Sequence, residues 1–187
     1  MPLHNILVIL AFALLGVSVF IIGKKQKISA SEIRGRSSIE PFFFYSGKIA
    51  LFCSVILFLI KAVFPHFGYI HVPSALSWIA VGLQWFSGVI MVLAIQELGR
   101  EIKMGLPEQK TRLHTGGMYR FSRNPLYTTL SLMAIASCLY FPDLINITMA
   151  LYGIIVHHFI IKAEENYLSE QFKSEWDQYA LKVRRYF

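Results

Sequence analysis

The chain has 187 residues, 55% hydrophobic and 16% charged, with a formal net charge of +7 and a mean hydropathy of +0.52. A soluble domain is roughly 45–50% apolar with about 25% charge, so the surplus excludes an ordinary soluble enzyme and a disordered tail. It is gathered into blocks long enough to cross ~30 Å of hydrocarbon as helix, which excludes a β-barrel and leaves no room for a separate soluble domain.

The first apolar block, 3–22, is followed by Lys24, Lys25 and Lys27. A signal peptide carries its positive charge before the apolar run, so this block reads as a retained helix with its N-terminus outside. The polar segment 23–40 reads as a cytoplasmic loop. The block 42–64 opens at Pro41, a suitable first-turn residue. A short uncharged connection, Pro65 to Gly68, leads to the third block, 73–95. The longest polar stretch follows, from Gln96 to Asn124, and loops of that length are uncommon unless functional or disordered. The fourth block, 126–141, spans only roughly 24 Å as a helix, so one end of the hairpin it forms with 144–161 must sit below the membrane surface. In the tail, 163–187, Leu168, Phe172, Trp176, Tyr179 and Val183 follow the spacing of an amphipathic helix.

These elements make one all-α domain over 1–187: a polytopic helical membrane protein with five transmembrane helices, a C-terminal hairpin and an amphipathic tail helix. The cations agree with that topology. Lys24, Lys25, Lys27, Arg34, Arg36 and Lys48 fall in the first inner connection, Arg100, Lys103, Lys110, Arg112, Arg120 and Arg123 in the second, and Lys162, Lys173, Lys182, Arg184 and Arg185 at the C-terminal end. Only Lys61 stands apart, near a block end where its stem can snorkel. The positive-inside rule then puts the C-terminus in the cytoplasm. The basic balance reports topology and contact with anionic headgroups, not nucleic acid. Cys53 and Cys138 lie in apolar blocks without metal or disulfide spacing.

Three clusters fall on the cytoplasmic side, within a candidate catalytic region of 97–187. The segment from Thr111 to Tyr119 contains Gly116-Gly117, a pair that permits positive φ and close backbone approach to a ligand, though a plain flexible loop needs no more. In Arg123-Asn124-Pro125-Leu126-Tyr127, Asn124 suits an N-cap and Pro125 a first helical position. The same helix start offers N–H groups and a positive dipole to an anion. Glu164-Glu165 close the fifth helix; adjacent acids in the boundary zone are costly unless wet or paired, here with Arg123 or Lys162. His157 and His158 each precede a glutamate by seven residues, ~10 Å along one face, too far for a direct dyad. They read as polar groups of the helix interface, and no metal site is expected.

In this order the clusters resemble the integral-membrane methyltransferases of the isoprenylcysteine carboxyl methyltransferase type, in the form of a small prokaryotic relative. The resemblance rests on Leu98-Gly99, Gly117-Met118-Tyr119, Arg123-Asn124-Pro125-Leu126-Tyr127, Glu164-Glu165 with Leu168, and Tyr179 with Val183. It implies S-adenosylmethionine as cofactor. It also implies a cofactor pocket lined by Leu113, His114, Gly117, Tyr119, Asn124, Pro125, Tyr127 and Glu164, with Arg123 and Glu165 at the chemistry. Two positions depart from the family pattern: Asn124 stands where His is usual, and Ile160 stands where prenylcysteine enzymes have an Arg thought to meet the substrate carboxylate.

The expected reaction is methyl transfer to a lipidic acceptor at the cytoplasmic membrane face, with a prenylcysteine-like carboxylate first and a phospholipid amine as the alternative. A carboxylate acceptor needs no base, whereas an amine would give Glu165 or His114 a general-base role. Sterol reductases, which resemble the same hairpin but bind NADPH, and a non-enzymatic scaffold are the other readings.

Overall fold

The computed structural model describes residues 1–28, 35–68, 70, 72–103, 105–107 and 112–187. Arg34 and Lys110, expected as loop cations, and Thr111 of the glycine loop lie outside these. Among the described residues six α-helices carry the fold: α1 (Leu3–Lys25), α2 (Pro41–Val63), α3 (Ser74–Leu98), α4 (Pro125–Tyr140), α5 (Leu144–Phe172) and α6 (Ser174–Lys182). Single 3₁₀ turns lie at Gly99–Glu101 and Gly117–Arg120. Among the described residues there is no strand, only an isolated antiparallel bridge between Arg36 and Leu106.

Four helices, α1, α2, α3 and α5, are long and apolar enough to cross a membrane. The protein is therefore an integral membrane protein. The fifth apolar helix, α4, has only 16 residues. It begins at Pro125, whose missing N–H costs nothing in a first turn. Helix α2 likewise starts with Pro41 and is capped by Glu40, which accepts from Phe43 N at 3.2 Å. Asp143 caps α5 by accepting from Ile145 N at 2.9 Å.

One boundary differs from expectation. The fifth helix does not stop near residue 161 but runs unbroken for 29 residues to Phe172. The change from apolar to polar sequence after Lys162 alters the solvent, not the backbone, because no Gly or Pro intervenes. Glu164 and Glu165 thus sit inside a helix rather than at its end. The break comes at Lys173, with φ 48°, and only 174–182 forms a separate tail helix.

The five long helices run alternately up and down. Helix α3 packs chiefly on α4, α2 on α5, and α1 on α3. The α2–α5 contact is close because glycines face it: a Cβ on Gly47 would strike Val156, and one on Gly153 would come within 2.8 Å of the Leu51 Cβ. Ser46 Oγ and Tyr152 OH share a hydrogen bond of 2.7 Å across the same seam.

At the end holding the start of α1, buried amides and hydroxyls bind the helices together. Asn5 donates to Ala62 O at 2.9 Å and accepts from Tyr140 OH at 2.7 Å. Asn146 accepts from Ser54 Oγ at 2.7 Å and donates to Phe141 O at 2.8 Å and Ser137 Oγ at 3.0 Å. Lys61 folds its ammonium onto Pro65 O and Phe67 O, the surface-seeking posture expected of it. At the opposite end Gln26, just after α1, is tied to α3 by its donation to Gln96 O at 3.0 Å. That second end is hollow.

Candidate active site

The start of α4, the C-terminal part of α5 and the tail meet around one buried carboxylate. Glu165 is 6% exposed. It accepts from Arg123 Nε at 3.1 Å and Nη2 at 3.3 Å, from Asn124 Nδ2 at 2.8 Å, and from Arg185 Nε at 2.9 Å. Arg185 Nη2 is a further 2.8 Å ion pair. Arg123 also donates to Ala180 O at 3.1 Å and stands 5.6 Å from the Trp176 ring centroid. Backbone bonds complete the lacing, with Arg123 N donating to Arg184 O at 2.9 Å.

An ion this enclosed is tolerable only when its oxygens are occupied, and here both are. Asn124 therefore does not cap α4 with its side chain, as its position suggested; its amide is spent on Glu165. The α4 turn is reinforced instead by Thr128 Oγ1, which donates to Asn124 O at 2.8 Å.

Beside this knot lies a cavity of about 800 Å³. Leu113, His114, Tyr119, Arg123, Asn124, Tyr127 and Glu164 all line it; Gly117, Pro125 and Glu165 do not. Pro125 is packed inside the bundle. Gly117, at φ +50°, lets the backbone close over the Glu97 carboxylate, where a Cβ would come within 2.5 Å of Oε2. Glu165 is turned into the arginine pair.

The polar pole of the cavity has its own bonds. Glu164 accepts from Tyr127 OH at 2.8 Å. His114 Nε2 and Glu101 Oε2 lie 2.9 Å apart, and Glu101 also accepts from Arg112 N at 3.1 Å. Trp176 and Tyr179 of α6, packed with Leu113, Leu168 and Phe172, close this pole from the tail side. Tyr179 OH donates to Tyr119 O at 2.7 Å. Burial pushes the Tyr179 phenol up to about 12, and burial lifts that of Tyr119 well above its ordinary range. Both stay neutral donors at physiological pH.

The other pole is apolar. Phe12, Leu15 and Gly16 of α1 face Ile49, Phe52 and Ile56 of α2, with Met91 and Ile95 of α3 behind. Ile49 and Phe52 are 62% and 65% exposed, so this pole is open to the apolar surroundings of the bundle. Lys48, Glu101 and His157 are among the wall residues that sequence did not single out as site residues. Lys48 counted as a loop cation, but it lies within α2. Glu101 had no motif. His157 read as an interface group, and its Nδ1–H donates to Gly153 O at 2.7 Å. The neutral ring then keeps Nε2 as an acceptor. Its neighbour His158 is off the cavity, bonded to Tyr186 OH at 2.7 Å.

Residues 75–175, just over half of the chain, match the family model described as phospholipid methyltransferase. The chain belongs to the phospholipid methyltransferase family. The matched span covers α3, the glycine loop, α4 and α5, and so most of the polar pole. It makes the protein a membrane methyltransferase of the wider group that includes the prenylcysteine enzymes, without singling those out. No curated protein and no solved structure matches the chain.

Proposed function

We propose that the protein methylates the headgroup amine of a phospholipid, using S-adenosylmethionine, at the cytoplasmic face of a membrane in which its N-terminus is outside. The observation that carries this reading is the continuity of the cavity, from Glu164, Tyr119 and His114 at one pole to the exposed slot between α1 and α2 at the other. Both poles suit their occupants. Glu164 is a carboxylate on the cavity wall able to accept from ribose hydroxyls or an ammonium, and Tyr119, Trp176 and Tyr179 offer ring faces. The bound cofactor supplies an activated methyl on a sulfonium. Leu15, Ile49, Phe52 and Ile56 give an acyl or prenyl chain a way in from lipid without passing through water.

Methyl transfer is an in-line displacement, and the chain's contribution is alignment in a water-poor pocket, effects worth up to roughly 7–11 kcal/mol in favourable cases. An amine must first lose its proton. Glu165 is occupied by Arg123, Asn124 and Arg185, and His114 is engaged with Glu101. His157, with Nε2 as the acceptor of the neutral ring, also lies on the cavity wall and is another group that could take this proton.

A second reading, methylation of a prenylcysteine-like carboxylate, is favoured by the ordered motifs and needs no base. Against it, Ile160 is fully buried beside Phe44, so α5 offers no cation at that position. Detergent-purified protein should bind S-adenosylhomocysteine in a calorimetric titration and transfer labelled methyl to phosphatidylethanolamine in nanodiscs. Transfer to N-acetyl-farnesylcysteine alone would select the second reading, and binding of NADPH alone would overturn both.

A further inference from the structure

Lys48 lies on the cavity wall where the apolar slot meets the polar pole. Ile49 and Phe52, on its own helix, belong to the slot; Tyr127, His157 and Glu164 belong to the pole. Among the described residues its ammonium makes no hydrogen bond, and no carboxylate lies within ion-pairing distance. Its contacts are ring faces: Nζ stands 4.5 Å from the Phe44 centroid and 5.7 Å from that of Tyr127. Glu164 attracts it electrostatically across the cavity but accepts its hydrogen bond from Tyr127.

Rings stabilise a cation only partly, and an ion on a membrane-spanning helix is expensive unless a partner arrives. The backbone that carries Lys48 is fixed, because Gly47 and Gly153 seat α2 directly on α5. The residue also lies outside the matched span 75–175, on a helix particular to the N-terminal half. We infer that Lys48 is the seat for an anionic group in the head of the lipid acceptor, a phosphodiester or a carboxylate, and thereby selects which lipids the cavity takes. This rests on the proposed function and adds the acceptor's charge to it. With Glu164 opposite, the seat is dipolar: an anion rests on Lys48, and positive charge, whether of the acceptor amine or of the sulfonium, faces Glu164. A lipid lying tail-first in the slot brings its head to this height.

The test measures binding of acyl-labelled phosphatidic acid and of diacylglycerol with the same label to the detergent-purified full chain. Parallel arms use labelled farnesylcysteine and its methyl ester. Wild type is expected to prefer at least one anion over its neutral counterpart by about tenfold or more; the phosphate arm and the carboxylate arm tell the two sources apart. Lys48→Gln should abolish the preference and Lys48→Arg should keep most of it. Calorimetry with S-adenosylhomocysteine on the same samples reports whether the variants are folded and whether the methyltransferase reading itself stands. Equal preference in wild type and Lys48→Gln, or none in wild type, overturns the seat even if the cofactor analogue binds. Absence of analogue binding in wild type would overturn the methyltransferase reading separately. If Lys48 served only to offset Glu164, Lys48→Gln would weaken analogue binding and leave lipid preference intact.

Discussion

Toward the end of the bundle that holds the start of α1, the buried Asn5, Ser54, Ser137, Tyr140 and Asn146 are uncharged and bonded to one another or to backbone carbonyls. At the other end the buried groups are the ionisable Lys48, Arg123, Glu164 and Glu165, and all but Glu165 face a cavity of about 800 Å³. The first arrangement has its valences closed within the protein and serves to hold helices in register. The second leaves some valences open. Among the described residues Glu165 is saturated, Glu164 has one phenolic partner, and Lys48 has only rings. The gradient from saturated to unpartnered, over a few residues, separates scaffold from binding surface within one site.

The strongest way to break the contrast is to remove Glu165. Glu165→Ala would strand Arg123 and Arg185 beside each other, and breaking such a buried pair costs roughly 3–5 kcal/mol. Thermal unfolding in detergent should show the largest loss of any substitution considered, with Glu165→Gln in between. A loss no greater than that from an exposed pair would mean the tail is not anchored there. At the closed end, Asn146→Ala opens a network among Ser54, Ser137 and Phe141, where interhelical hydrogen bonds in membranes are worth about 0.6–1.7 kcal/mol. Stability should fall by that order while affinity for S-adenosylhomocysteine stays put; a fall in affinity would erase the distinction between the two ends. Tyr127→Phe should do the reverse. It removes the hydroxyl that holds Glu164, so calorimetric affinity should drop several-fold with a stability change of less than about 1 kcal/mol.

The smallest expected effect concerns Tyr179. Its phenol ionises near 10.0 when unfolded and at about 12 when folded, so the folded state holds the proton longer. The stability this contributes is complete below pH 10 and is lost as pH rises toward 12. The gap in unfolding temperature between wild type and Tyr179→Phe should therefore narrow across that window and stay constant below it.

Sequence patterning carried the fold a long way, because a membrane requires long apolar blocks and α4 declared itself by being short. It failed at the end of α5, where polarity changed without any residue that breaks a helix, and at Asn124, whose cap position concealed a tertiary partner. The wall residues Leu113, His114, Tyr119, Arg123, Asn124, Tyr127 and Glu164 stood in recognisable order. Lys48 did not, since its place depends on how closely Gly47 and Gly153 let two distant helices approach. Glu101 and His157 were equally hidden, because each reaches the cavity through a fold-dependent contact rather than a local motif.

In the proposed function one cavity holds a methyl donor beside Glu164 and a lipid in the slot between α1 and α2. Titration of S-adenosylhomocysteine into wild type, Glu164→Ala and Asn146→Ala, followed by calorimetry, tests it most directly. Wild type should bind, Glu164→Ala should bind several-fold more weakly, and Asn146→Ala should keep the wild-type affinity. Equal affinity in wild type and Glu164→Ala, or no binding to any of the three, would contradict it.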